Sequence, residues 1–126
     1  MKDQHTMSES FDYFGTPLLN CRNHWSAANG DDVTVSLINR QLNGGLYRDE
    51  PQSGDNRRGR AKAIKDLKHA RDRCGGYFRV VMVIEKDGKA TWMPKPNLLM
   101  RLVWLDERTG AFNAKVVDSQ ALALAA

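Results

Sequence analysis

Between Arg57 and Arg79 the chain concentrates nine basic residues (57, 58, 60, 62, 65, 68, 71, 73, 79) against two acids, Asp66 and Asp72. That segment carries +7 against a chain total of +4, which leaves −3 for the remainder. A local excess of this kind points to a binding face for a polyanion more than to general solubility. Within it, Ala63, Ile64, Leu67, Ala70 and Cys74 recur at spacings of three and four, so residues 60–74 read as an amphipathic helix. On that helix the apolar stripe lies opposite Lys65, and Lys62, Lys65, Lys68 and Arg73 spread over the outer face with His69. Arg57, Arg58 and Arg60 gather at its start, where cations oppose the helix dipole. A bound phosphate backbone gives those charges a reason to be there. The alternative is a solvated surface helix laced by Lys62–Asp66 and Lys68–Asp72 pairs.

A second constellation, Asn20-Cys21-Arg22-Asn23-His24-Trp25-Ser26, sets amides, an imidazole, an indole and a hydroxyl within seven residues. Trp25 could stack on an exposed base while Asn23, His24 and Ser26 read its edge, as in pockets that receive a flipped nucleotide. The plainer alternative makes Trp25 a core anchor. A third, Asp87-Gly88-Lys89, has the acidic-x-Lys spelling of some metal-dependent nucleases, with Asp66, Asp72 or Glu85 as the other acid. Lys86-Asp87-Gly88-Lys89 between two apolar runs is better read as a hairpin turn. No Gly-rich phosphate loop, paired-Cys zinc site, His-x-Glu deaminase motif or Gly-x-Ser-x-Gly elbow occurs. His5, His24 and His69 are too scattered to specify a metal site, so no catalytic residue, metal or cofactor is expected.

These groups need a scaffold. Val33–Ile38 alternates apolar and polar residues as a half-buried strand does. The glycine- and proline-bearing stretch 39–56 reads as a long loop with an edge strand around Gly45–Arg48. Gly75-Gly76 ends the helix. The strands that follow are Tyr77–Glu85, Ala90–Met93 and Leu98–Leu105, with Pro94 and Pro96 bounding a connection, and Ala111–Val117 comes last. Ile64, Leu67, Phe78, Val80, Met82, Leu102 and Trp104 are expected in one core. Residues 1–10 read as a flexible arm, 11–19 as an irregular packed segment and 118–126 as a loose tail. The order predicts one α+β domain over 1–126: a curved, mostly antiparallel sheet, closing toward a PUA-like or SH3-like open barrel, with one main basic helix.

At 126 residues, 41% hydrophobic and 27% charged, the chain can bury a core, and a disordered chain is excluded. The apolar runs are strand-length, too short to span a membrane. The polar N-terminus lacks a signal-peptide core, which fits a cytoplasmic protein. Cys21 and Cys74 read as two thiols, although one disulfide between them is compatible with the spacing.

Arg22-Asn23-His24-Trp25-Ser26 followed by Val33-Thr34-Val35-Ser36-Leu37-Ile38, with the later Arg-Gly-x-Arg helix and second apolar strand, resembles small uncharacterised bacterial domains. Those domains occur near HNH-type or modification-dependent restriction nucleases. The likeness spans residues 11–117, with Leu-Ile in place of Leu-Trp at the end of the first strand and no HNH motif. It implies a bacterial or phage defence setting and assigns no site residue. The sequence thus predicts a nucleic-acid-binding module, DNA favoured over RNA, in its sharper form reading a modified or flipped base. The expected contacts are Arg57, Arg58, Arg60, Lys62, Lys65, Lys68 and Arg73. The alternatives are a non-catalytic interaction or inhibitor domain docking on an acidic protein, and a small metal-dependent nuclease.

Overall fold

The structure, a computed structural model, describes residues 6–20, 23–49 and 57–117. Cys21, Arg22, the stretch 50–56 and the expected tail lie outside them. The fold is α+β, two helices on a seven-stranded, mostly antiparallel sheet that does not close.

The chain enters through α1 (Met7–Tyr13), where an arm and an irregular segment were expected. Its start is a capping box: Thr6 Oγ1 accepts from the Glu9 amide at 3.1 Å, and Glu9 Oε1 accepts from the Thr6 amide at 3.0 Å. Two otherwise orphaned donors are satisfied reciprocally, which is enough to set a short helix that buries Phe11. The hairpin β1 (Ser26–Asn29) and β2 (Asp32–Ile38) follows. A 3-10 turn (Asn39–Gln41) leads into β3 (Leu42–Asn43) and β4 (Leu46–Asp49), a small hairpin inside the predicted loop. Helix α2 (Arg57–Arg73) begins three residues earlier than its apolar stripe indicates. It ends where Gly75 and Gly76 take φ of 65° and 87°, and the Gly76 amide donates to Ala70 O at 2.7 Å.

Strands β5 (Tyr77–Lys86), β6 (Lys89–Leu105) and β7 (Phe112–Val117) complete the sheet in the order β1-β2-β5-β6-β7-β4-β3. Among the described strands only β2 and β5 run parallel, joined by the crossover that contains α2. Asp87 and Gly88, at φ of 54° and 75°, form the two-residue hairpin turn between β5 and β6, so the Asp-x-Lys triplet is a turn. The expected break at Pro94 and Pro96 is instead a bulge within one long strand. Arg79 faces Leu99 and Val81 faces Pro94, which loops residues 95–98 outward and accommodates prolines that cannot donate to a ladder.

The alternation of β5 divides the interior. Val80, Met82 and Phe78 face α2 and join Leu67, Leu37, Tyr47 and Phe112 in the main core. Val81, on the other face, packs with Phe11 and Ala27 under α1. Trp104 does not join either core: it is 51% exposed. The register slips between Leu102 and Trp104, so the extra residue Val103 breaks the alternation that would have turned Trp104 inward. Leu102 and Ile64 are half-buried at the margin of the core.

The sheet is strongly curled. The Ile38 amide at the end of β2 donates to Tyr47 Oη of β4 at 3.2 Å, although three strands separate β2 from β4 through the ladder. This curl brings the carboxyl ends of β2 and β5, the β4 hairpin and the start of α2 around one hollow.

Candidate nucleic-acid interface

Helix α2 sorts its cations into two sets. Arg57, Arg58, Lys65, Lys68 and Arg73 are exposed. Arg60 and Lys62 are turned into the fold, contrary to an outer-face position for Lys62. Lys62 Nζ lies 2.6 Å from Asp66 Oδ1, with its side chain only 13% exposed. Asp66 is itself buried and accepts from Ser26 Oγ at 2.6 Å. A buried carboxylate holding one ammonium and one hydroxyl is a satisfied network, and it pins α2 to β1. Ser26 is wholly buried, so this Ser-Asp-Lys group offers no nucleophile to a substrate.

Arg60 makes a different tie. Its guanidinium donates to Asp49 of β4 and to Gly110 O, and lies 4.9 Å from the centroid of the Trp25 ring. Asp49 thereby offsets one of the cations gathered at the positive end of the helix. Close beneath, Gly59 packs against the Trp25 indole and the Asn23 backbone, where a β-carbon would lie 2.7 Å from Trp25 Cδ1 and Nε1.

Along the outer side of α2, a groove of about 520 Å³ runs between the helix and β1. Lys62, Lys65, Lys68, His69 and Arg73 border it, with Asp66, Asp72, Ala28 and Leu19. His69 Nε2–H donates to Gly30 O at 2.6 Å, so the imidazole is a strut between helix and hairpin. Lys68 pairs with Glu107 at 3.2 Å and not with Asp72, which Arg71 takes instead. The Lys68 hydrogen bond and charge hold the Glu107 carboxyl below its usual range, and the Arg71 hydrogen bond does the same for Asp72. Lys65 and Arg73 have no carboxylate partner among the described residues, so they are the cations most available to a phosphate.

The second expected constellation is only partly assembled. Trp25 is half-buried and lines a cavity of about 310 Å³. Asn23, His24 and Ser26 do not line it. The Asn23 and His24 amides turn back onto Asn20 O at 3.2 and 2.8 Å, and Ser26 faces Asp66. His24 Nδ1 is buried without a hydrogen-bond partner among the described residues. The polar groups that do reach the cavity are Ser36, Asp49, Arg60 and Glu85, and Trp92 and Tyr47 join Trp25 in its wall. Sequence spacing could not gather them, since they come from β2, β4, α2, β5 and β6 and meet only because the sheet curls. The one usable signal was Ser36, a polar residue in an otherwise apolar strand end.

The cavity sits at the carboxyl ends of the single parallel pair, where Ser36 and Ile38 of β2 lie beside Val83 and Glu85 of β5. Crevices at such strand ends are the habitual ligand sites of parallel sheets. No group of three or more His, Cys, Asp or Glu able to hold a metal occurs among the described residues. No helix among them is long and apolar enough to cross a membrane. No protein-family model, curated protein or solved structure gives a significant match to this chain.

Proposed function

We propose that the protein is a nucleic-acid-binding module in which exposed cations of α2 hold the phosphate backbone and the adjacent aromatic cavity receives an unstacked base. The observation that carries this reading is the junction at Trp25 and Arg60. The cavity takes Arg60 from α2 and the basic groove begins at Lys62 on the same helix, so a strand laid along the groove is led toward the cavity. Backbone contacts position and base contacts specify, and here the two kinds of surface are adjacent. As part of the same reading, the curled sheet is taken as an open barrel of the PUA-like or SH3-like kind, and the setting as bacterial or phage defence.

The test is retention of double- and single-stranded DNA and RNA oligonucleotides at low salt, repeated with Lys65→Gln/Arg73→Gln. Binding that weakens steeply with salt, and more gently in the variant, supports the reading. No retention of any of the four at low salt overturns it.

A second reading is a domain that docks on an acidic protein. It draws on the basic face of α2, which suits an acidic partner, and separately on Val103 and Trp104, apolar and 57% and 51% exposed. It gains support only if oligonucleotides fail and Trp104→Ala abolishes capture of a defined acidic partner.

A further inference from the structure

The chemistry of the 310 Å³ cavity narrows what it can hold, given the nucleic-acid reading on which this inference rests. Its charged lining is two carboxylates, Asp49 and Glu85, and one guanidinium, Arg60. The net charge there is therefore −1, in contrast to the cationic groove outside. Phosphate is repelled from the cavity and attracted to the helix face, so a nucleotide is sorted: backbone outside, base within.

The lining then discriminates among bases. Asp49 is engaged by Arg60, and that guanidinium already occupies a face of Trp25. Trp92, register partner of Val83 on the same wall, is left as the principal stacking surface, and Glu85 as the principal edge reader. A carboxylate only accepts hydrogen bonds, and its two oxygens carry about four acceptor sites, so it serves a new donor beside any bond it already makes. Guanine alone presents two adjacent donors on its Watson–Crick edge, N1–H and the N2 amino group, matching the two oxygens in parallel. Adenine and cytosine each offer one amino donor next to a ring acceptor, which would face the second oxygen with its own lone pair. A positive charge on the base strengthens both contacts, through attraction to the indole face and to the carboxylate.

We propose that the cavity formed by Trp92, Trp25, Tyr47 and Glu85 is a guanine-reading pocket that prefers the cationic, N7-methylated base in a nucleic acid. Trp92 stacks on the base, Glu85 accepts from its N1–H and N2 amino group, and Arg60 with the cations of α2 steers the phosphate to the outside.

The experiment follows tryptophan fluorescence of the full chain on titration with the 5′-monophosphates of guanosine, 7-methylguanosine, adenosine and cytidine. Tetramethylammonium and oligonucleotides with one unpaired guanine or 7-methylguanine complete the set. The expected order is 7-methylguanosine, then guanosine about tenfold weaker, then adenosine and cytidine weaker again. The same methyl preference should appear in the oligonucleotides. Glu85→Gln should erase the guanine-over-adenine preference while low-salt retention of oligonucleotides persists, and Trp92→Phe should keep binding where folded Trp92→Ala loses it. Equal affinity for all four nucleotides, or tetramethylammonium competing as well as 7-methylguanosine, overturns the inference, the latter in favour of a methylammonium-bearing partner. Oligonucleotide retention without base preference refutes this pocket and leaves the nucleic-acid reading standing. Selective binding of 7-methylguanosine monophosphate without oligonucleotide retention does the reverse.

Discussion

Gly59→Ala sets two known effects against each other at one atom. Alanine in a helix is favoured over glycine by about 1 kcal/mol, because glycine gives up more backbone freedom on folding. Were Gly59 an ordinary helical position, the substitution would therefore stabilise. Its added carbon, however, would sit 2.7 Å from Trp25 Cδ1 and Nε1 and closer still to the carbonyl oxygen of Asn23. That oxygen is backbone and cannot swing aside, so either the start of α2 or the 23–25 segment must shift. Overpacking of this kind costs about 1–3 kcal/mol. The same shift pulls Arg60 off the Trp25 face and strains its pair with Asp49, contacts worth about 1 kcal/mol more. The loss exceeds the gain, and net destabilisation of about 1–3 kcal/mol is expected. For a chain of this length that lowers Tm by about 3–5 °C per kcal/mol. Ala61→Gly, at an exposed position in the same turn, is the control and should cost about 1 kcal/mol by propensity alone. Thermal unfolding of both variants decides it. A Gly59→Ala protein with a raised Tm would refute the close packing of α2 on Trp25 and the cavity wall built from it.

If Lys65 and Arg73 each neutralise one duplex phosphate, Lys65→Gln/Arg73→Gln should reduce the slope of log affinity against log salt by about 1.8, read by fluorescence anisotropy across a salt series. Asp66→Ala removes the acceptor of both Ser26 and Lys62 and strands the ammonium in a nearly closed site, so denaturant unfolding should show a loss of about 3–5 kcal/mol. Leu67→Ala empties a fully buried site under the helix and should cost about 2–5 kcal/mol by the same assay, with m unchanged. Burial, with Asp31 and Asp32 nearby, pushes the Cys74 thiol above its ordinary 9.0. In a Cys21→Ser background, iodoacetamide should therefore label the folded protein at pH 8 more slowly than the urea-unfolded chain. The raised value also means that this thiol favours the folded state below its unfolded pKa, a contribution lost as pH rises through the folded one.

Much of the scaffold was legible because its signals are local. The stripe Ala63, Leu67 and Ala70 fixes the inner face of α2, and Gly75-Gly76 its end. Val33–Ile38, Tyr77–Lys86 and the Asp87-Gly88 turn follow from alternation and turn chemistry within a few residues. Three features were not legible, each for a physical reason. The capping box that makes α1 a helix outweighs the weak hydrophobic pattern of residues 7–13. The bulge at Val103 turns Trp104 outward, and a single inserted residue leaves no mark in composition. Lys62 spells an exposed helical cation until Asp66 is seen to be buried with Ser26 against it, a partnership across forty residues of sequence.

The same distance limit governs the site. Charge density along α2 could be counted from the sequence, but which charges serve the fold depends on tertiary partners: Arg60 is committed to Asp49, Lys62 to Asp66 and Lys68 to Glu107. Subtracting these leaves Lys65 and Arg73 as exposed cations of the helix with no carboxylate partner among the described residues. Arg57 and Arg58 stand in the first turn, where a cation opposes the helix dipole by about 0.3–1 kcal/mol. Arg60 shows that a carboxylate can be placed to offset such a cost when the charge serves the fold. Arg60, from the same turn, is the residue of α2 that lines the cavity, whose charged lining otherwise is Asp49 and Glu85. On the proposed reading an anionic backbone lies along the exposed cations of α2 and its base enters the cavity, whose charged lining is net negative, so each charge pattern has a use.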